Sequence, residues 1–234
     1  MIFGLTWPSS SKTSLDDREA GFKMRYVSEL LWKSVLPLSP VFTTAELAEA
    51  AEIRLSNASR DLAKLASRGM ITRVKRGLWA DTRHADFSPY AVVPHLFREG
   101  EAGYVSLLSA LNLHGMIEQI PRVVQIVTSS QRAPLKTPVG AYEFHRIQAV
   151  LFGGYEPYGR LGEFDIARPS KALFDALYLS SRRTRRFSHL PELEFVTEFS
   201  TEEMESWIAR IEHAPLRAAV RNRWMHLRDR IRRR

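Results

Sequence analysis

Apolar residues recur at helical intervals in the N-terminal part of the chain. From Met24 to Val35 they form one helical stripe, and Pro37 ends it because proline cannot continue a helix. Thr43 and Glu46 then have the spacing of a capping box, in which each residue satisfies a backbone N–H of the other. The pattern therefore predicts a first helix, a proline-rich break and a short alanine-rich second helix.

A third helix is predicted from Asn57 to Arg68. Ser56 is its expected N-cap, and Gly69 its left-handed C-terminal stop. One face is apolar and would pack on the first two helices through Ala58, Leu62 and Leu65. The opposite face, set by spacings of three, four and seven residues, holds Asn57, Arg60, Asp61 and Lys64.

The segment after this helix has the pattern of a β-hairpin. Met70–Val74 alternates like a strand, Lys75-Arg76-Gly77 is predicted as a tight turn, and Leu78–Ala80 as the returning strand. Three helices followed by a hairpin with a basic tip is the order of a winged helix-turn-helix. We therefore predict this domain over residues 23–84, preceded by a leader over residues 1–22.

Beyond a predicted connector over residues 81–94, the pattern changes to mixed α/β. The predicted strands are Val123–Thr128, Tyr142–Ile147 and Phe164–Ala167, with a loop or wide hairpin over residues 129–140. The predicted helices begin after Ser106, at Pro169 and after Ser200, with an interruption at Pro215. The predicted fold class is α+β, in which the winged helix-turn-helix precedes a mixed α/β domain over residues 95–234 with a basic helical tail.

Composition restricts the chemistry of the chain. There is no cysteine, which excludes disulfides, thiolate zinc sites and cysteine nucleophiles and suits a reducing compartment. No apolar run has the length of a membrane span, and the N-terminus lacks a secretory signal pattern, so we expect a cytoplasmic protein without a membrane partner. The net charge of +8 favours a polyanionic partner, and nucleic acid is the commonest; membrane surfaces and acidic proteins are the alternatives.

Basic residues concentrate in three segments, over residues 54–83, 182–186 and 217–234. For the last two, a solvated helix end is as good an interpretation as a binding surface, since cations suit the negative pole of a helix dipole. The first segment coincides with the predicted winged helix. There it places basic side chains both on the third helix and on the hairpin.

The residue types in that first segment suit DNA recognition. Asn57 and Arg60 can form paired hydrogen bonds with adenine and guanine edges, Lys64 suits a phosphate, and Asp61 would accept from cytosine or orient Arg60. The alternative is an ordinary solvated helix face. The predicted DNA-binding residues are Ser56, Asn57, Ser59, Arg60, Lys64, Arg73, Lys75 and Arg76.

A series of motifs keeps a fixed order along the rest of the chain. The motifs are Tyr104–Leu111 with His114-Gly115, Pro121 and Val127-Thr128, then Tyr142–His145 and Ala167–Asp175. Together with Lys75–Trp79 of the predicted hairpin, they resemble AbiEi-type antitoxins over residues 23–180. Ser170 departs from that family, which often has Glu before the Lys-Ala pair.

The resemblance implies a component of a bacterial type IV toxin–antitoxin, or phage-defence, system. Such antitoxins bind inverted repeats in their own promoter, repress the operon and counteract a nucleotidyltransferase toxin without a stable complex. We therefore expect double-stranded operator DNA as a partner, two copies on one operator, a toxin as functional partner and no cofactor. The alternatives are a plain winged-helix regulator without a toxin, an adaptor that binds protein, and a nucleic-acid-processing enzyme.

The enzyme hypothesis depends on ionisable residues of the C-terminal domain, namely His114, Glu143, His145, Glu163, Asp165, Lys171 and Asp175. His114 precedes a glycine at a helix end, where a structural contact is the commoner role. Glu143 and His145 share one face of a strand, but two ligands make a poor metal site. The acidic residues and Lys171 lack nuclease spacing, and the chain has no phosphate loop, nucleophile elbow or zinc motif. We therefore predict a non-enzyme without catalytic, cofactor or metal sites.

Overall fold

The computed structural model describes residues 29, 31–35, 39–160, 162–182 and 190–232, and in these ranges the chain is α+β. It divides into an N-terminal unit that ends at Asp81 and a C-terminal unit that begins at Thr82. The predicted leader, the start of the first predicted helix and residues 183–186 of the second basic segment lie outside the described residues. Among the described helices, none is both long and apolar enough to cross a membrane.

The N-terminal unit combines helices with a small antiparallel sheet. A π-helical segment, Leu31–Val35, comes first, followed by helices α1 (Thr44–Ala50) and α2 (Leu55–Ser67). The strands are β1 (Val41–Thr43), β2 (Thr72–Lys75) and β3 (Leu78–Ala80), in the order β1-β3-β2. Strand β1 was not predicted from the sequence. It pairs with β3, with Phe42 opposite Trp79, and so joins the region before α1 to the hairpin.

The predicted capping box at the start of α1 is confirmed. The Thr43 hydroxyl accepts from the Glu46 backbone N–H at 3.2 Å, and the Glu46 carboxylate accepts from the Thr43 backbone N–H at 2.6 Å. The indole N–H of Trp79 donates to the Thr44 hydroxyl at 2.9 Å in the interior. These contacts hold the first turn of α1 against the sheet.

The start of α2 differs from the prediction and its end confirms it. The helix begins at Leu55, because the Arg54 carbonyl already accepts from the Asn57 and Ala58 N–H groups, so Ser56 lies inside the first turn and is not the N-cap. At the other end Gly69 adopts a φ of +69°. Its N–H donates to the Ala66 carbonyl at 2.9 Å, and the next N–H donates to Leu65 at 3.1 Å, which together form a Schellman motif.

The core of the N-terminal unit gathers apolar side chains from all these elements. The predicted apolar face of α2 is confirmed, since Ala58, Leu62 and Leu65 are buried. Other members of the same cluster are Leu31, Val35, Phe42, Leu47, Ala48, Ile71 and Trp79. Burial of one leucine of this kind contributes about 1.5–3 kcal/mol, so this packing fixes the orientation of α2.

The C-terminal unit is built on a mixed sheet of six strands in the described chain. In chain order these are β4 (Gly103–Val105), β5 (Val124–Thr128), β6 (Leu135–Thr137), β7 (Gly140–Arg146), β8 (Tyr155–Tyr158) and β9 (Phe164–Ala167), and in the sheet they lie in the order β6-β7-β5-β4-β9-β8. Its helices are α3 (Leu107–Leu113), α4 (Pro169–Ser180), α5 (Thr201–Ala209) and α6 (Ala214–Arg232), with short 3₁₀ helices at Pro89–Leu96 and Ala149–Leu151. The pairs β5–β7 and β4–β9 are parallel, and the other strand pairs are antiparallel.

Several predictions for this unit are confirmed and several are wrong. The strand Phe164–Ala167 and the start of α4 at Pro169 are confirmed. Part of the predicted connector is instead the 3₁₀ helix Pro89–Leu96, because its apolar residues are buried rather than solvated. The predicted interruption of the last helical region is confirmed, but it lies over residues 210–213, between α5 and α6; Pro215 itself lies in the first turn of α6, where its missing N–H costs nothing.

Candidate nucleic-acid interface

Helix α2 has two contrasting faces. Ala58, Leu62 and Leu65 are buried in the core of the N-terminal unit. On the opposite face, Arg60 and Lys64 are exposed. Asn57, one turn before Arg60, is half-buried. The predicted separation of an apolar and a polar face is therefore confirmed.

The polar side chains of α2 contact one another. Arg60 Nη2 donates to Asn57 Oδ1 at 3.0 Å, and Lys64 Nζ lies 3.9 Å from Asp61 Oδ1. A guanidinium has five N–H donors, so this bond leaves Arg60 able to donate a pair of hydrogen bonds elsewhere. An amide oxygen can accept two hydrogen bonds, so Asn57 could still pair with an adenine edge while it holds Arg60. In this arrangement Asn57 orients the arginine, a relation that residue types alone did not predict.

The start of α2 carries two predicted site residues with hydroxyl side chains. Ser56 lies in the first turn and Ser59 one turn later, and both are exposed. A serine hydroxyl can donate to a phosphate oxygen or to a base edge. Both positions are therefore accessible to a ligand that meets the N-terminal end of the helix.

The hairpin presents its basic residues unequally. Lys75 belongs to β2 and is half-buried, whereas the prediction had placed it in the turn. The turn itself is Arg76-Gly77, with Arg76 exposed and Gly77 at a φ of +77°. Arg73 is exposed on β2, and its guanidinium lies 5.6 Å from the centroid of the Trp79 ring.

The turn of the hairpin is joined to the start of α1. The Gly77 carbonyl accepts from the Thr44 backbone N–H at 2.9 Å. The Schellman motif at Gly69 links α2 to β2, so both ends of the segment from α2 to the turn are held within one unit. Arg60 and Lys64 on the helix, with Arg73 and Arg76 on the hairpin, therefore belong to one hydrogen-bonded segment of the N-terminal unit. Such an arrangement of cations and hydrogen-bond donors suits a phosphate backbone and base edges.

In the C-terminal unit, several of the candidate catalytic residues contact neighbouring groups. His114 Nε2 lies 2.8 Å from the Ala167 carbonyl, which joins the end of α3 to β9. His145 is buried, and its Nε2 lies 3.6 Å from Glu143 Oε2 on the same strand. Burial raises the pKa of Asp165. In the described part of the chain, no group of three or more His, Asp or Glu side chains is placed to hold a metal ion.

Lys171 and Asp175 form an ion pair one helical turn apart on α4, and both side chains are wholly buried. The second carboxylate oxygen, Asp175 Oδ2, accepts from the Ser106 hydroxyl at 2.8 Å and from the Tyr104 hydroxyl at 3.2 Å. We call these four residues the Lys171–Asp175 cluster. The contact with Asp175 explains why Ser106 occupies the N-cap position of α3 without the predicted side-chain capping bond.

Aromatic rings enclose the ammonium group of this cluster. Lys171 Nζ lies 4.7 Å from the centroid of Trp207, 5.1 Å from Phe174 and 5.5 Å from Tyr104. Burial lowers the pKa of Lys171 and raises the pKa of Asp175, while each charge acts in the opposite direction on its partner. Solvent reaches neither side chain, so the cluster is enclosed in the C-terminal unit.

The spacing of Lys171 and Asp175 could have predicted this pair, because an acid four residues after a lysine lies beside it on a helix. The wholly buried position of α4 turns that spacing into an internal contact. The accessible hydrogen-bonding groups considered above therefore belong to α2 and the hairpin, whereas those of the cluster are enclosed. No protein-family model matches this sequence, and no curated protein matches it.

Proposed function

We propose that the chain is a sequence-specific DNA-binding repressor whose N-terminal unit acts as a winged helix-turn-helix. The observation that carries the proposal is the pair of opposite faces on helix α2. Ala58, Leu62 and Leu65 are buried on one face, and Arg60 and Lys64 are exposed on the other. Its place before a basic hairpin supports the same interpretation. In a winged helix-turn-helix the corresponding helix enters the major groove and the hairpin contacts the backbone.

Each residue has a proposed role that follows from its chemistry and exposure. Arg60 reads a guanine through two N–H groups, and Asn57 holds the guanidinium in position. Lys64 contacts a phosphate as a flexible point charge. The other predicted DNA-binding residues contact phosphates and fix the position of the protein along the duplex. They are Ser56, Ser59, Arg73, Lys75 and Arg76.

We further propose that this repressor is an AbiEi-type antitoxin in the cytoplasm. The resemblance of the motifs between Tyr104 and Asp175 supports this part of the proposal. Two copies bind one inverted-repeat operator and repress the operon, and the chain counteracts a nucleotidyltransferase toxin without a stable complex. A binding role is favoured over catalysis because His114, Lys171 and Asp175 are engaged in internal contacts.

The DNA-binding proposal is tested with a labelled duplex from the intergenic region upstream of the gene. The wild-type chain should shift this duplex at moderate salt, and Arg60→Ala should lose the preference for it over a random duplex. Arg122→Ala removes an exposed arginine of the C-terminal unit and is the matched control for loss of charge. The absence of any shift with the wild-type chain would contradict the proposal.

The antitoxin part is tested separately by co-expression with the adjacent gene. If that gene encodes a nucleotidyltransferase that arrests growth, the chain should restore growth. The Arg60→Ala variant should restore it as well when expressed from an unrelated promoter, because the resemblance to AbiEi-type antitoxins implies that the C-terminal domain provides antitoxicity. Persistent arrest would leave a plain regulator, which is the alternative function.

A further inference from the structure

A groove in the C-terminal unit lies between α4, α6 and the chain at Leu190. Its cavity has a volume of about 610 Å³. Three leucines form its apolar floor, namely Leu177, Leu190 and Leu227. Its polar rim consists of Asn222, Arg223, His226 and Arg230.

The rim follows from the periodicity of α6. Val220 and Trp224 are buried on the core side of the helix. Arg223 and Arg230 are seven residues apart, which is two turns or about 10 Å along the axis, so they lie on the same edge. His226 falls between them. The helix therefore places two guanidinium groups and an imidazole along one side of an apolar floor.

Other arginines of the same helix have different partners. Arg217 Nη1 donates to the Ile211 carbonyl at 2.7 Å. Arg221 Nε lies 3.6 Å from a Glu205 oxygen, and Arg228 Nε lies 3.5 Å from Asp229. Arg223 and Arg230 differ from these three arginines in that their side chains line the groove.

We propose that this groove binds a small organic anion, a molecule with a phosphate or carboxylate group on an apolar body. Pockets for small molecules commonly measure about 300–1,000 Å³ and combine apolar walls with a few polar groups, as this groove does. The leucine floor receives the apolar body. The guanidinium groups of Arg223 and Arg230 receive the anionic group, since their geometry matches phosphate and carboxylate oxygens.

Two further features of the rim favour an anion. Burial lowers the pKa of Arg223, but an arginine stays protonated in proteins, so the rim keeps a cation at this position. His226 Nδ1 lies 2.8 Å from the Asn222 carbonyl. A carbonyl only accepts, so Nδ1 carries the hydrogen and the imidazole is held against its own helix. Among the described residues that line the cavity of about 610 Å³, none is acidic.

The proposal is tested by isothermal titration of the full chain, without DNA, using AMP, decanoate and inorganic phosphate as probes. We expect saturable one-site binding of AMP or of decanoate that is at least tenfold tighter than that of inorganic phosphate, because only the organic anions use the leucine floor. Binding of AMP but not of decanoate would identify phosphate as the preferred anionic group. Binding of decanoate but not of AMP would identify carboxylate. Either result supports the site.

The variants locate the binding. Arg230→Gln removes an exposed cation from the rim of the groove. It should lower the affinity for the preferred ligand about tenfold, because a charge-assisted hydrogen bond is lost. Arg221→Gln removes an arginine of the same helix that faces Glu205 and should leave the affinity unchanged. Circular dichroism verifies that both variants are folded. Equal effects of the two variants, equal affinity for phosphate and the organic anions, or no saturable binding of AMP or decanoate would each overturn the proposal.

Discussion

Helices α2 and α4 have nearly the same length, 13 and 12 residues, and opposite relations to solvent. Helix α2 buries one face and exposes Arg60 and Lys64 on the other. Helix α4 is buried from Pro169 to Ser180, and its charges satisfy each other inside the core. Charged residues on a helix therefore point to a binding function only where the fold leaves them accessible.

The comparison also separates two energetic roles of charge. The Lys171–Asp175 pair has lost its hydration, so each member depends on the other, and Asp175 depends also on the Ser106 and Tyr104 hydroxyls. The exposed residues of α2 keep their hydration, and their mutual contacts contribute little to stability. We therefore expect substitutions in α4 to change folding and substitutions on the polar face of α2 to change binding.

The largest effect is expected from Lys171→Ala. This variant leaves a buried, unpaired carboxylate and should lower the free energy of unfolding by about 3–5 kcal/mol. The full chain is denatured with urea, and tryptophan fluorescence and circular dichroism report the unfolding of the C-terminal unit. Arg168→Ala is the control, because Arg168 Nη2 lies 3.3 Å from Glu203 with 49% of the arginine side chain exposed. If Lys171→Ala lowered the free energy of unfolding no more than Arg168→Ala does, the buried charges of α4 would not differ from exposed ones in their effect on folding.

On α2, the largest effect on stability is expected from its apolar face. Leu62→Ala creates a cavity in the core of the N-terminal unit and should cost about 2–5 kcal/mol. Lys64→Ala, two residues later on the exposed face, should change stability by no more than about 0.5 kcal/mol. Thermal and urea unfolding of both variants measure this contrast. Similar losses for the two would mean that the polar face of α2 is structural.

Arg60→Ala should affect binding rather than folding. The loss of one paired contact with a base should weaken specific DNA binding by about 1–3 kcal/mol. Arg60→Lys keeps the charge without the two-pronged geometry, so it should lose sequence preference while retaining most of the affinity for random duplex. Fluorescence anisotropy with operator and random duplexes measures both variants. Unchanged preference in Arg60→Ala would contradict the assignment of α2.

Smaller effects are expected from the helix caps, which the two units share. Thr43→Ala and Ser200→Ala each remove a side-chain oxygen that accepts from the backbone N–H of a residue three positions later. Each should cost about 1 kcal/mol in its own unit. Denaturation of the two variants tests whether the units differ in local helix stability. A cost near zero for either one would show that its first turn does not need the cap.

The smallest effect is expected from the hairpin. Arg76→Ala removes an exposed charge at the turn, so it should lower the affinity for all duplexes about equally. The slope of log affinity against log salt concentration should become less steep by about 1. Anisotropy titrations at several salt concentrations measure this slope. A selective loss for one sequence would mean that Arg76 reads bases.

Local signals predicted much of the fold. The capping box at Thr43, the stop at Gly69 and the strand Phe164–Ala167 depend on neighbouring residues, which the sequence displays directly. Strand β1 and the order of the six-stranded sheet depend on pairings between distant segments, so they could not be predicted from periodicity. Ser56 was misplaced because a good capping residue does not begin a helix where an earlier carbonyl already accepts.

The candidate site was partly predictable for the same reason. Helical spacing was enough to place Arg60 and Lys64 on one face of α2. The bond from Arg60 to Asn57 and the position of Arg73 over Trp79 depend on side-chain conformations. The Lys171–Asp175 cluster needs Tyr104 and Ser106, which are 71 and 69 positions from Asp175 in the sequence. Such long-range contacts leave no local pattern.

The most direct test of the central claim, that α2 reads DNA sequence, is the affinity of the wild-type chain for its upstream duplex and for a random duplex across a range of salt concentrations. We predict a preference for the upstream duplex of about 10³-fold or more at physiological salt, with a steep decline of both affinities as salt rises. Equal affinity for the two duplexes, or no binding to either at moderate salt, would contradict the claim.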